Sequence, residues 1–278
     1  MILPWDEILI GIALGAYTLG ALSLVIYFFS QDESFRKAGV PLAILGCAAQ
    51  FAQLAVRFET THVWPLLNLY GSLSLFSAMS VAIYIGFAFR YRLWFAGGFV
   101  LALAAIFLAY GVTWYEGTMP PVPSLQSYWA KIHVPIVVSS YAAFLVAFVF
   151  SCIYLLKYYA GRSGRGPVAG WLASLPSLPQ LDAVVYRAVA IGLPLISIGI
   201  ITGAMWAHEA WGAYWQWDPK ETAALFSWIV YLAYMHLHTR HAWRGLRTNW
   251  VSVIGFASII FCYLGVNIWI SGLHSYKV

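Results

Sequence analysis

Seven histidines are the residues best suited to hold a metal: His62, His133, His208, His236, His238, His241 and His274. One stretch gathers flat surfaces that suit a planar ligand. Residues 203–221 read GAMWAHEAWGAYWQWDPKE and place Trp206, Trp211, Trp215 and Trp217 beside Glu209 and Asp218. If the stretch is helical, Trp211 and Trp215 stand four positions apart on one face. Tryptophan and tyrosine also settle at membrane interfaces, so an aromatic belt is the plainer reading. Asp218-Pro219-Lys220-Glu221 has a second, local meaning. It matches an N-cap, a proline at the first helical position and an acidic residue at the third.

The elements that must position these residues are membrane helices. The chain has 278 residues, of which 62% are hydrophobic and only 9% charged, with a mean hydropathy of +0.77. Ordinary soluble domains carry about 25% charged residues. Long apolar runs without strand alternation indicate an all-α polytopic integral membrane protein rather than a barrel. Eight spans are expected, near 7–29, 39–58, 66–89, 93–110, 131–157, 184–206, 222–241 and 250–271. Each approaches the ~20 residues that cross ~30 Å of hydrocarbon. Gln50, Gln53 and Arg57 interrupt the second, and should face other helices or a cavity. One membrane domain over residues 1–278 is the simplest partition, without internal repeats.

Basic residues set the expected orientation. Arg36, Lys37, Arg90, Arg92, Lys157, Arg162, Arg165, Arg187, Arg240, Arg244 and Arg247 fall on one side, against Lys131, Lys220 and Lys277 on the other. The rich side belongs in the cytoplasm, which places both termini and the Trp-rich interfacial loop outside. The net charge of +5 therefore reports topology and gives no reason to expect nucleic acid. Residues 158–183 read as a Gly/Pro/Ser-rich cytoplasmic connection, and 111–130 as an outward loop. The N-terminus, MILPWDEILIG, lacks a basic region and does not resemble a cleaved signal peptide. Cys47, Cys152 and Cys262 lie in apolar runs without a Cys-x-x-Cys pair, and read as packing residues.

Sorting the histidines by depth leaves His62, His133, His208 and His274 on the side of the Trp loop. His274 follows Trp250 by 24 residues, roughly 36 Å along a helix, so it emerges outside. An imidazole pair can ligate haem iron from both faces, and indole rings can cradle an apolar macrocycle. Spacing alone does not choose the pair. His238 lies about 30 Å down the seventh span, at its cytoplasmic end. His236 and His238 point about 200° apart and do not share one ligand from a regular helix. A haem held by His238 needs its second ligand from elsewhere.

The run WGAYWQWDPKET resembles the Trp-rich "WWD" signature of haem-handling proteins in cytochrome c biogenesis. That superfamily includes CcmC and CcmF, and the CcsA/ResC proteins (CcsB in some naming schemes) of the two-component pathway, system II. The stretches LQSYWAKIHVPIVVSSYAAF at 125–144, LHTR at 237–240 and GLHSY at 272–276 are similar to CcsA/ResC segments. They carry that family's first outer haem histidine, here His133, its membrane-embedded histidine, here His238, and its second outer histidine, here His274. PLLNLYGSLSLF at 65–76 resembles the family's N-x-Y-E-S-L stretch, with Gly71 in place of glutamate. No role of that carboxylate is carried over.

The resemblance spans residues 64–276 and implies a cytochrome c synthase subunit. Such a protein works with a CcsB/ResB-type membrane partner. It moves haem b outward and attaches it to apocytochrome c at Cys-x-x-Cys-His. Trp206, Trp211, Trp215, Trp217 and Asp218 would belong to the loop over the haem, with iron held by His133 and His274 outside and by His238 within the membrane. The reacting thiols come from the apocytochrome, so no catalytic side chain is expected in this chain. The implied location is the bacterial inner membrane or the thylakoid membrane, with the active site on the extracytoplasmic side. The runner-up is a CcmC-like haem exporter or chaperone without synthase activity. A cytochrome b subunit fits less well, because it wants paired histidines within a four-helix core.

Overall fold

In this computed structural model the described residues are 4–115, 123–163, 172 and 175–270. Every regular element among them is helical. Eight long helices follow in order: α1 Pro4–Ser30, α2 Glu33–Thr61, α3 Leu69–Tyr91, α4 Gly97–Val112, α5 Tyr128–Ser163, α6 Leu178–Trp211, α7 Pro219–His238 and α8 Leu246–Trp269. The expected spans all correspond to helices. Among the described residues, seven are long and apolar enough to cross a membrane; α7 is not one of them. Glu221, His236, His238 and the ring-borne hydroxyls of α7 lower its hydropathy although it has 20 residues.

Helices also extend beyond the expected spans. α5 runs to Ser163 and α6 begins at Leu178, both inside the stretch read as the 158–183 connection. Ser177 explains the early start of α6. Its backbone N–H donates to the Gln180 side chain at 2.8 Å, closing a capping box ahead of Pro179. Lys157 ties this connection down by donating to the carbonyls of Leu175 and Pro176 at 2.7 and 2.9 Å. The 111–130 stretch is likewise shortened, because α5 begins at Tyr128.

The chain divides into two compact units, Met1–Ala142 and Ala143–Val278, with the boundary inside α5. In the first unit α1 packs on α2 and α4, and α3 packs on the same two helices, which closes a ring of four. Tyr17, Leu24, Val81, Leu101 and Leu108 fill it. Close approach of α1 and α2 requires Gly46, where a Cβ would meet the Tyr17 ring at 2.6 Å. Between these helices, Asp32 caps α2 by accepting from the Ser34 N–H at 2.9 Å. That bond holds the Asp32 carboxyl below its usual range.

A buried polar network lies within this first unit. Asp6 accepts from Gln53 at 2.6 Å and from Arg57 at 3.1 Å. Ser74 donates to Gln53 at 3.0 Å, Gln50 donates to the Ser74 carbonyl at 2.8 Å, and Tyr17 donates to Gln50 at 2.7 Å. The Arg57 guanidinium also sits 4.7 Å from the Tyr70 ring centre and 5.0 Å from that of Tyr115. The polar residues of the second span therefore face neighbouring helices, as hydrocarbon requires. Gly71 is forced locally: a Cβ there would overlap the Pro65 carbonyl oxygen, so the glutamate of the related motif has no room.

In the second unit the C-terminal half of α5 packs on α6, α7 and α8. Phe144 stacks on Tyr231 at 3.6 Å and Phe148 on Phe256 at 4.7 Å. Gly192 lets α6 approach, since a Cβ would meet the Phe144 ring at 2.6 Å. Trp228 donates to Ser197 at 2.8 Å and joins α7 to α6. Residues Phe261–Gly265 of α8 form a π-turn, a local widening that often marks functional positions.

Candidate functional site

Both ends of α7 carry residues that the sequence singles out. The first end is the α6–α7 turn. Helix α6 stops at Trp211 because Gly212 takes a left-handed conformation, φ 83°, and its N–H reaches the His208 carbonyl at 2.9 Å. Trp211 and Trp215 therefore do not share a helical face: the helix ends between them. The four tryptophans instead form two pairs. Trp206 and Trp211 lie 5.4 Å apart with tilted planes, and Trp215 meets Trp217 edge-on at 5.6 Å. Trp206 is buried and Trp217 is 68% exposed. His208 stacks on Tyr214 at 4.2 Å.

Glu221 and Asp218 hold this turn in shape. Asp218 accepts from the Lys220 N–H at 2.9 Å, while Glu221 accepts from the N–H groups of Asp218 and Gln216 at 3.2 and 2.9 Å. The capping box expected from Asp218-Pro219-Lys220-Glu221 is thus formed. Trp217, just before the cap, sits at φ 57°, a left-handed value for a residue with a side chain. The surrounding caps fix that conformation and present its indole outward. Lys220 turns inward and donates to Asn267 on α8 at 3.0 Å, so the start of α7 is fastened to the residues just after the π-turn.

At the other end of α7, some 30 Å away by helical rise, His238 is buried and its Nε2 lies 2.9 Å from the Asp182 carboxylate. The second Asp182 oxygen accepts from Asn249 at 2.8 Å, and Asn249 also donates to the Gly245 carbonyl at 2.8 Å. Tyr186 stacks on His238 at 4.5 Å, and Tyr234 lies parallel at 5.8 Å. The first turns of α6 and α8 and the last turn of α7 thus meet at one point. Arg244 closes that turn, donating to the His238 carbonyl at 3.1 Å. His236, two residues earlier, is exposed, as the opposed faces of the two histidines require.

Asp182, Asn249, Tyr186 and Tyr234 were not singled out by the sequence. The only signal for Asp182 was a lone carboxylate near the basic end of an apolar helix; Asn249 had none. Two buried polar atoms at this cluster lack a hydrogen-bond partner, the Tyr234 hydroxyl and the Asn249 carbonyl oxygen. Unsatisfied groups of this kind are costly and call for an explanation. A haem-binding imidazole fits the donor set. The porphyrin supplies four nitrogens, so the protein need offer only an axial ligand, and His238 is a buried imidazole beside the Tyr186 and Tyr234 rings.

Of the outer histidines, His133 lies in the second turn of α5, partly buried and in the first unit. His274 lies outside the described residues. His62 ends α2 in a left-handed conformation, and His208 and His241 are exposed.

Fold and site together define a class: an all-α membrane protein with a braced tryptophan turn at one end of a helix and a buried imidazole–carboxylate pair at the other. Residues 66–274 match the cytochrome c assembly protein family, and the chain belongs to it. Cytochrome c biogenesis protein CcsA from Synechococcus sp. (strain CC9902) is 34% identical over 97% of each chain. CcsA from Guillardia theta is 32% identical over 92% of each, and CcsA from Chlamydomonas reinhardtii 32% identical over 93% of this chain and 72% of that one. The solved cytochrome c heme lyase CcmF shares the fold, with a TM-score of 0.68 at 18% identity. That match covers 95% of this chain and 47% of CcmF, so this chain spans about half of its length.

Proposed function

We propose that the chain handles haem in cytochrome c maturation. It takes up haem b near His238, presents it beneath the tryptophan turn on the extracytoplasmic side of the lipid bilayer, and attaches it to apocytochrome c together with a CcsB/ResB-type membrane partner. The observation that carries this reading is the pairing of the family match with a buried imidazole at one end of α7 and an aromatic turn at the other. Helix α7 is read as an eighth crossing: its 20 residues cover about 30 Å, and seven-residue connections join it to α6 and α8, both long and apolar enough to cross. Eight crossings place both termini outside. The membrane is a bacterial inner membrane or a thylakoid membrane.

The covalent step uses groups from the substrates. Each apocytochrome thiol adds across one haem vinyl group. Sulfur bonds to the carbon next to the ring, and the thiol proton ends on the outer carbon, without net transfer of electrons. The chain supplies position, which converts a many-body encounter into a local one. Its own Cys47 and Cys262 are buried, their thiols turned to the carbonyls of Ala78 and Lys220, and suit packing rather than exchange with a substrate. His133 and His274 are proposed as the outer iron ligands on the strength of the family resemblance, and one of them yields when the substrate histidine takes the iron.

Purified full-length His133→Gly and His274→Gly variants test the outer site. The reading expects altered haem spectra and lost attachment to apocytochrome with the partner present. Unchanged spectra and unchanged product in both variants would remove these two ligands. Bound haem without thioether product in the wild type, partner and substrate supplied, would favour the exporter.

A further inference from the structure

The His238 cluster contains a bond that haem binding must break. A porphyrin is a broad plane, and the nitrogen of a helix-borne imidazole that reaches it without striking the helix is the far one, Nε2. In this structure Nε2 is held by Asp182 at 2.9 Å. A carboxylate only accepts, so the imidazole donates its Nε2 proton there and has no lone pair at that nitrogen. Ligation through Nε2 therefore requires His238 to leave Asp182. A buried carboxylate cannot be abandoned without cost. Asn249 continues to hold one of its oxygens through the 2.8 Å bond. The other oxygen needs a new donor.

That donor is at hand. Tyr234 stands one turn before His238 on α7, its ring 5.8 Å from the imidazole. Its hydroxyl is buried without a hydrogen-bond partner, and Asp182 is near enough to act on it electrostatically. We propose that Asp182 is a placeholder: it holds the ligand nitrogen of His238 in the haem-free protein and passes to the Tyr234 hydroxyl when His238 turns to iron. The Tyr186 and Tyr234 rings lie 4.5 and 5.8 Å from the imidazole, and Tyr234 is on the same helix as His238, so the exchange needs a turn of the side chain rather than movement of a helix. Asp182 and Tyr234 are positioning residues here, because neither touches the haem. The orphaned hydroxyl, otherwise a plain loss of stability, becomes the waiting partner of the loaded state.

This inference rests on His238 being a haem ligand. The test is optical titration of haem into haem-depleted, detergent-purified full-length protein, with the Soret band and the midpoint potential as readouts. Tyr234→Phe removes the receiving donor and weakens haem binding roughly tenfold. Asp182→Ala removes the competitor and tightens binding by roughly threefold or more. In the Asp182→Ala background, Tyr234→Phe has no further effect, because the hydroxyl acts only through the carboxylate. The midpoint potential stays unchanged in every variant that keeps His238. Should Asp182→Ala not yield monodisperse protein, Asp182→Asn carries the same comparison with a smaller tightening.

Weaker binding in the Asp182 variants, or an equal Tyr234→Phe effect with and without Asp182, would overturn the placeholder role. A shifted potential would instead make Asp182 a permanent partner of the ligating imidazole, and would likewise overturn it. His238→Ala controls for the underlying reading. If it leaves the Soret band intact, His238 is not a ligand, and that failure is separate from the other two.

Discussion

Two buried carboxylates in this chain are built alike and differ in one respect. In the first unit Asp6 is held by Gln53 on one oxygen and by Arg57 on the other. In the second, Asp182 is held by Asn249 on one oxygen and by His238 on the other. The partner of Asp6 is a permanent cation that can only donate. The partner of Asp182 is an imidazole, which can exchange its proton for a metal. None of Asp6, Gln53, Arg57, Tyr70, Ser74, Gln50 or Tyr17 leaves a buried polar atom without a partner, whereas the Asp182 cluster leaves two. A closed network holds helices together. The unfinished one surrounds the imidazole proposed to take haem.

That contrast makes testable predictions. Asp6→Ala strands the Arg57 charge and should destabilise the protein by about 3–5 kcal/mol, read as a fall in melting temperature in detergent. Haem binding at His238, measured below that temperature, should stay at the wild-type level; a matching loss of haem would mean the first network is not merely structural. Asn249→Leu unpairs an Asp182 oxygen and the Gly245 carbonyl. It should cost about 2 kcal/mol and also change haem affinity, which separates it from the Asp6 change. Asp218→Ala removes the cap of α7 for about 1 kcal/mol. It should reduce attachment to apocytochrome while leaving the His238-dependent spectrum unaltered. Trp217→Ala alters an exposed ring, so stability should move by less than about 0.5 kcal/mol, yet covalent product should fall if the turn presents haem as proposed.

How far these features were legible in the sequence depends on the distance over which each is encoded. The helices were readable because about 20 apolar residues in a row have few other uses. The capping box at Asp218 was readable because its partner is three residues away. Gly212 defeated the conditional pairing of Trp211 with Trp215, since a left-handed glycine ends the helix between them. His238 stood out as a histidine at the end of an apolar span and as part of a family motif. Its partners did not, because Asp182 is 56 positions away and Asn249 lies 67 positions beyond Asp182. Arg57 was readable as a residue that must face inward, but Asp6, 51 positions earlier, was not readable as its mate. Helical periodicity tells which face is buried. It does not tell which polar residue on another helix will be opposite.

The most direct measurement is the yield of covalently attached haem on apocytochrome c in cells carrying the full chain and a CcsB/ResB-type partner, with His238 intact or changed to Ala. The account predicts at least a roughly tenfold loss of product, with lower haem content in the purified variant, which still elutes as a monodisperse species. Product and haem content at the wild-type level in His238→Ala would contradict it.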